Sequence, residues 1–251
     1  MSTDIILEAS RLRREFEGFV AVKDVDLKVR RGSVHALIGP NGAGKTTVFN
    51  LITKFLQPTS GRIIFDGVDI TAEKPAQIAR RGLVRSFQIS ATFPHLSVLE
   101  NVRVALQRKA GLATQFWLPQ SVLRTLDTRA RELVEAVNLQ DYLNASAANL
   151  SYGRKRALEI ATTLALDPAV LLLDEPMAGM GHEDIDRIAQ LIRQVAQGRT
   201  VLMVEHNLSV VSWLCSTISV LQRGEIVAEG DYASVSTDPR VREAYLGTEV
   251  D

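Results

Sequence analysis

The 251-residue sequence is short of several things, and each shortage narrows what the chain can be. It has a single cysteine, Cys215, so no internal disulfide can form and the composition fits a reducing compartment. No long hydrophobic run is present. The longest apolar stretch, Val210 to Leu221, is broken by Ser212, Ser216, Thr217 and Ser219 and falls short of the roughly 20 residues that a membrane span needs. No excess of either charge exists, since 29 Lys and Arg face 29 Asp and Glu, which removes the global basic footprint of a nucleic-acid binder. Phosphate recognition, if present, must be local. Repeats and low-complexity stretches are also missing, so neither a solenoid nor a long linker is expected. The N-terminus carries Asp4 and Glu8 where an export signal would be positive and then apolar, so the chain is expected to stay inside the cell.

What remains is 46% hydrophobic and 23% charged, an ordinary globular profile. A chain of this length buries roughly 75% of its unfolded surface, so one compact unit is expected without metal or disulfide staples. The first 70 residues read as short, half-buried strands, taken as antiparallel: Ile5 to Ala9, Val25 to Val29, Val34 to Ile38 and Gly61 to Phe65. Val170 to Leu173 and Val201 to Val204 are continuous apolar runs, the pattern of parallel strands buried on both faces. Between them Ile185, Ile188, Leu191, Ile192 and Val195 recur at helical spacing before Gly198, which predicts a βαβ unit. From about Gln88 to Leu164 the patterns are helical (Leu99 to Gln107, Thr125 to Val137, Gly153 to Leu164), with Gly111 to Pro119 an irregular excursion. The fold class is therefore α/β, with a helical insert.

Gly39-Pro40-Asn41-Gly42-Ala43-Gly44-Lys45-Thr46-Thr47 matches G-x-x-x-x-G-K-[ST] and stands between an apolar strand and a helical segment, the context a P-loop requires. Its glycines let backbone N–H groups face phosphates, Lys45 reaches the β and γ phosphates, and the Thr46 hydroxyl serves Mg²⁺. Val170 to Leu173 ends in Asp174-Glu175, which puts two carboxylates at the carboxyl edge of the sheet. Asp174 suits Mg²⁺, and Glu175 suits the orientation or deprotonation of an attacking water. Read alone, the first motif could be a glycine-rich turn and the second a solvated strand end. Together they describe an ATP and Mg²⁺ site.

Leu150-Ser151-Tyr152-Gly153-Arg154 follows in the order expected for ATP-binding cassette (ABC) proteins and resembles their L-S-G-G-Q signature; it opens a helix, so Ser151 and Gly153 offer donors at a positive helix end. By that resemblance the segment contacts the nucleotide held by a second subunit, Gln88 senses Mg²⁺ and the attacking water, His206 touches the γ phosphate, and Phe16 stacks on adenine, with Phe19 as the alternative. The implied fold is a P-loop NTPase of the ABC ATPase type. It has an antiparallel β subdomain and a mixed RecA-like core (residues 1–88 and 165–251), with an inserted helical signature subdomain (about 89–164), all one domain over 1–251.

Finer features, including Glu175-Pro176-Met177-Ala178-Gly179 and the closing Ala244-Tyr245-Leu246-Gly247, resemble the ATP-binding subunit of branched-chain amino acid importers. The resemblance implies a peripheral subunit on the cytoplasmic face of the inner membrane that hydrolyses ATP. It also implies membrane permease subunits and a second ATPase chain, identical or different, as partners, a substrate-binding protein as an indirect one, and no nucleic acid. An importer for an amide, urea or an aromatic acid stays open, as do an exporter cassette, a non-catalytic nucleotide-gated module and a non-transport ABC ATPase. Two departures stand out. Arg154 replaces the usual Gln and begins a run of three cations, expected to face phosphate or permease, although a helix start disfavours positive charge. Gly181 replaces an Asp or Asn that crosses to the partner.

Overall fold

The computed structural model describes residues 4–86, 92–112, 115 and 120–246. By its internal contacts the chain divides into two compact units. One comprises residues 1–85, 169–175 and 196–251, the other residues 86–168 and 176–195.

The first unit contains two sheets. In the smaller, β1 (Ile5–Phe16) pairs antiparallel with β2 (Phe19–Arg30) and β4 (Ser60–Phe65), and β4 with β5 (Val68–Asp69), in the order β2-β1-β4-β5. Alternation in β2 explains its register: Val25, Leu27 and Val29 point inward while Asp26, Lys28 and Arg30 stay in water. Glu17 and Gly18 both have positive φ, the two-residue turn whose twist matches the flanking strands.

The larger sheet runs β10-β9-β3-β8-β7-β6, made from β3 (Val34–Ile38), β6 (Leu83–Ser86), β7 (Val170–Asp174), β8 (Thr200–Val204), β9 (Thr217–Gln222) and β10 (Glu225–Gly230). Strands β3, β7, β8 and β9 are mutually parallel, and β10 is antiparallel to β9. Val34 to Ile38 thus leaves the antiparallel group in which the sequence reading had set it. Its unbroken apolar run needs cover on both faces, which a central parallel strand receives. Helix α1 (Lys45–Ile52) follows β3 and drives Val48, Phe49, Leu51 and Ile52 into a core shared with Leu7, Leu12, Leu27, Ile63 and Phe65 of the small sheet.

Strands β6, β9 and β10 and the short helices α2 (Pro75–Arg80), α8 (Leu208–Leu214), α9 (Tyr232–Thr237) and α10 (Pro239–Leu246) were not read from sequence. Of the polar residues that interrupt Val210 to Leu221, Ser216 marks the step from α8 into β9, while Ser212 lies within α8 and Ser219 within β9.

The elements of the second unit among its described residues are helices, apart from Ser86 at the end of β6 and an isolated antiparallel bridge between Ser97 and Ser146. Helix α3 (Val98–Lys109) starts at a capping box in which the Glu100 N–H donates to Ser97 Oγ (3.2 Å) and the Ser97 N–H to Glu100 Oε2 (2.8 Å). It packs with α5 (Asp127–Ala136) and α6 (Tyr152–Leu164), and α6 packs with α7 (His182–Val195); the short α4 (Gln120–Arg124) precedes α5. Residues 176–195 group with the helical unit. Helices α6 and α7 approach closely here: a Cβ on Gly153 of α6 would come within 2.6 Å of Asp184 Oδ1 in the first turn of α7. Most of the predicted irregular excursion, 113–114 and 116–119, lies outside the described residues. No helix among the described residues is long and apolar enough to cross a membrane.

Candidate nucleotide site

The carboxyl ends of β3, β7 and β8 converge in the first unit, where an open parallel sheet collects ligands. Two glycines set the loop after β3. Gly39 has φ +150° and lies so close to β9 that a Cβ would fall 2.0 Å from the Leu221 carbonyl oxygen. Gly44, at φ +104°, is the N-cap of α1 and sits against the Ala21 carbonyl at 2.6 Å by the same measure. The outer wall of the loop is the β9–β10 turn, where the Gly224 N–H donates to the Ala43 carbonyl (2.9 Å) and the Lys23 N–H to that of Gly224 (2.8 Å). A cleft of about 430 Å³ opens beside Pro40, Asn41, Gly42 and Ala43, with Arg223 and Arg240 among its lining.

Lys45, the first residue of α1, is 8% exposed and directs Nζ at the carbonyls of Gly39 (2.6 Å) and Pro40 (2.9 Å). Burial pulls its pKa below the usual lysine value, and the carboxylates of Glu175 and Asp174 partly oppose that shift. Thr46 is exposed and Thr47 half-buried. Helix α1 leaves its first N–H groups without intrahelical acceptors, next to a charged lysine, which is an anion-binding arrangement.

Asp174 ends β7, buried at 3% exposure, and its Oδ2 accepts from Arg85 Nη2 (2.5 Å). Glu175 follows at φ +43°, an unfavourable conformation for a residue with a Cβ, while its N–H donates to the Val204 carbonyl (3.0 Å). His206 is exposed after β8. The buried carboxylate of Glu205 accepts from the N–H groups of His206 (3.0 Å) and Asn207 (3.3 Å), which fixes the turn that carries the imidazole. Lys45, Thr46, Asp174, Glu175 and His206 thus belong to one unit.

The remaining expected residues are placed as follows. Phe16, at 37% exposure, pairs with Phe19 across the β1–β2 turn, and the Arg14 guanidinium lies 4.4 Å from its ring centroid. Gln88 lies outside the described residues, as does Gly247. In the helical unit Leu150 is buried, and Ser151 is the exposed N-cap of α6 with its hydroxyl unused for capping. Tyr152 is 55% exposed and Gly153 is buried. In the basic run Arg154 and Lys155 are half-buried, the Arg154 guanidinium lying 4.1 Å from the Tyr142 centroid, and Arg156 is buried in an ion pair with Glu159 (2.7 Å). These local partners offset the cost of cations at a helix start. Gly181 donates no side chain, but its carbonyl accepts the N–H groups of Asp184 (3.1 Å) and Ile185 (3.0 Å) and so begins α7.

Arg85 and Glu205 were missed as site residues. A lone charge inside a short apolar strand, as in Leu83-Val84-Arg85-Ser86, was the signal for the first; nothing local marked the second.

Comparison with known proteins agrees with this geometry. The sequence matches the ABC transporter family over residues 22–178 and the family described as branched-chain amino acid ATP-binding cassette transporter over residues 225–251. It is 40% identical to the high-affinity branched-chain amino acid transport ATP-binding protein BraF of Pseudomonas aeruginosa, over 96% of this chain and 98% of that protein. Identity to the corresponding protein LivG of Escherichia coli K12 is 37%, over 96% and 98%. Among solved structures, the ADP conformation of an ATP-binding cassette of an ABC transporter superposes with a TM-score of 0.85 at 30% identity, covering 98% of this chain and all (100%) of that one.

Proposed function

We propose, on the premise that the chain belongs to the ABC transporter family and is one of its ATPases, that it is the ATP-binding and ATP-hydrolysing subunit of a branched-chain amino acid importer. The observation that carries the reading is the meeting of the P-loop and the Asp174-Glu175 pair at one sheet edge, in a chain whose last segment has the branched-chain type of ending.

Lys45 and the N-terminus of α1 bind the β and γ phosphates, and Phe16 offers a ring face to adenine. Mg²⁺ fits the donor set. Among the described residues no three His, Cys, Asp or Glu could hold a metal by themselves, whereas a hard ion carried by phosphates needs only oxygen donors such as the Thr46 hydroxyl and the Asp174 carboxylate. When bound, the ion neutralises charge developing on the phosphates. Glu175 takes the proton of the attacking water, His206 donates to the γ phosphate, and Gln88 orients the water. Residues 150–154 serve the nucleotide of a second ATPase subunit. Nucleotide-driven closure of that dimer then acts on membrane permeases at the cytoplasmic face, with a substrate-binding protein upstream of them.

Glu175→Gln should abolish ATP hydrolysis while nucleotide binding is kept; an unchanged rate refutes the assigned role. For the cargo, cells lacking this chain should lose uptake of labelled leucine, isoleucine and valine, regained with the wild type and not with Lys45→Ala. Loss confined to urea, an amide or an aromatic acid would replace the proposed substrate class.

A further inference from the structure

We propose that Arg85 is a positioning residue of the hydrolytic site, which ties the carboxylate of Asp174 to the P-loop helix and thereby sets the affinity for the nucleotide-borne metal ion. The inference rests on the Mg²⁺-ATP reading above. Arg85 sits on β6, and its guanidinium reaches two other elements: Nη2 donates to Asp174 Oδ2 at the end of β7, and Nη1 to Asn50 Oδ1 (2.6 Å) in α1. The side chains of Arg85 and Asp174 are only 9% and 5% exposed. The guanidinium carbon also lies 5.8 Å from the centroid of Phe49, which is fully buried in the core. The cation is therefore held from two sides.

A guanidinium is a planar fork whose N–H directions are fixed relative to one another, so its two acceptors are fixed relative to one another as well. Here the acceptors belong to the helix that carries Thr46 and the strand that carries Asp174, the two sources of metal ligands. Once Oδ2 is taken by a fixed donor, the Asp174 carboxylate has a set rotation and presents its other oxygen in one direction. The guanidinium also balances the carboxylate charge in a dry environment, so a divalent cation is held only when phosphates add their own charge. Lysine could supply the charge and could not span both acceptors, because an ammonium is a point charge on a flexible stem.

The test separates orientation from charge and from general stability. Mn²⁺, read by electron paramagnetic resonance, replaces Mg²⁺, and a non-hydrolysable ATP analogue replaces ATP; binding of the same analogue in EDTA is the control. Arg85→Lys and Asn50→Ala should each weaken Mn²⁺ binding to the protein–analogue complex about tenfold, the scale of one charge-assisted hydrogen bond, and leave binding in EDTA within about twofold. The double variant should be no weaker than either single one, because both break the same bridge. Asn50 is only half-buried, so its variant keeps the test open if the change at Arg85 prevents folding. Unchanged Mn²⁺ affinity in the variants, or an equal loss in EDTA, overturns the inference. A wild-type protein that binds the analogue equally with and without Mn²⁺ overturns instead the metal reading beneath it.

Discussion

His35 makes the stability of the core sensitive to mild acid, by an amount that follows from its surroundings. It lies on β3, directly upstream of the P-loop, at 1% exposure. Its Nε2 is 2.8 Å from Ser219 Oγ, and that hydroxyl donates to Glu229 Oε2 at 2.6 Å. A carboxylate only accepts, so the hydroxyl proton goes to Glu229 and the ring must supply Nε2–H to Ser219. The ring is thus neutral with its proton on Nε2, and acid would have to add a second proton to a buried imidazole. Burial, with a smaller contribution from Arg30, accordingly lowers the pKa from 6.5 to about 4. A folded-state pKa below the unfolded value means that the unfolded chain binds the proton first. The associated stability is complete above pH 6.5, falls as the pH drops towards 4, and is gone below that. At about 1.36 kcal/mol per unit, the whole effect is about 3 kcal/mol, with about 2 kcal/mol lost by pH 5. Urea unfolding of wild type and His35→Gln between pH 7.5 and 4.5 measures it, since Gln can donate to Ser219 but does not titrate. Wild type should lose about 2 kcal/mol more than the variant by pH 5. Parallel pH profiles for the two proteins would refute the reasoning.

Gly39→Ala should remove nucleotide binding, seen as loss of fluorescent-nucleotide signal, because its Cβ would collide with the Leu221 backbone at 2.0 Å and the loop would have to leave β9; binding near the wild-type level would disprove that. Lys54 is 3% exposed with a buried Nζ that has no hydrogen-bond partner among the described residues, and burial lowers its pKa. Lys54→Met keeps its bulk and should raise stability by about 1 kcal/mol or more at pH 7. That gain should shrink as the pH rises towards 10, where the wild-type amine sheds its charge; thermal melts at both pH values decide. Glu159→Ala should cost about 3–5 kcal/mol by leaving the Arg156 cation buried without its carboxylate, measured by urea unfolding, and a loss under about 1 kcal/mol would show that the pair behaves as a surface one.

What could be read before the structure was what neighbouring residues dictate. The P-loop, the strand that ends in Asp174-Glu175 and the start of α6 at Ser151 each fit within about ten residues, where backbone geometry and side-chain chemistry are decided together. Periodicity likewise placed α3, α5, α6 and α7 to within a few residues of their ends. The short strand Leu83–Ser86 and the C-terminal helices escaped notice because segments of that length carry too few turns of any period to declare themselves.

The sequence by itself determined the chemistry on offer: a loop for phosphates, an acidic pair at a strand end, and a single cysteine that cannot form an internal disulfide. Tertiary structure decided which groups complete one another. Arg85 and Asp174 are 89 residues apart, and His35 and Ser219 are 184 apart, so no local pattern could pair them. Arg156 is buried against Glu159, and Gly153 of α6 lies against Asp184 of α7, 31 residues on. The reason is the same in each case. A charge inside a protein needs a partner, and a glycine contact needs a neighbour, and only the folded chain supplies either.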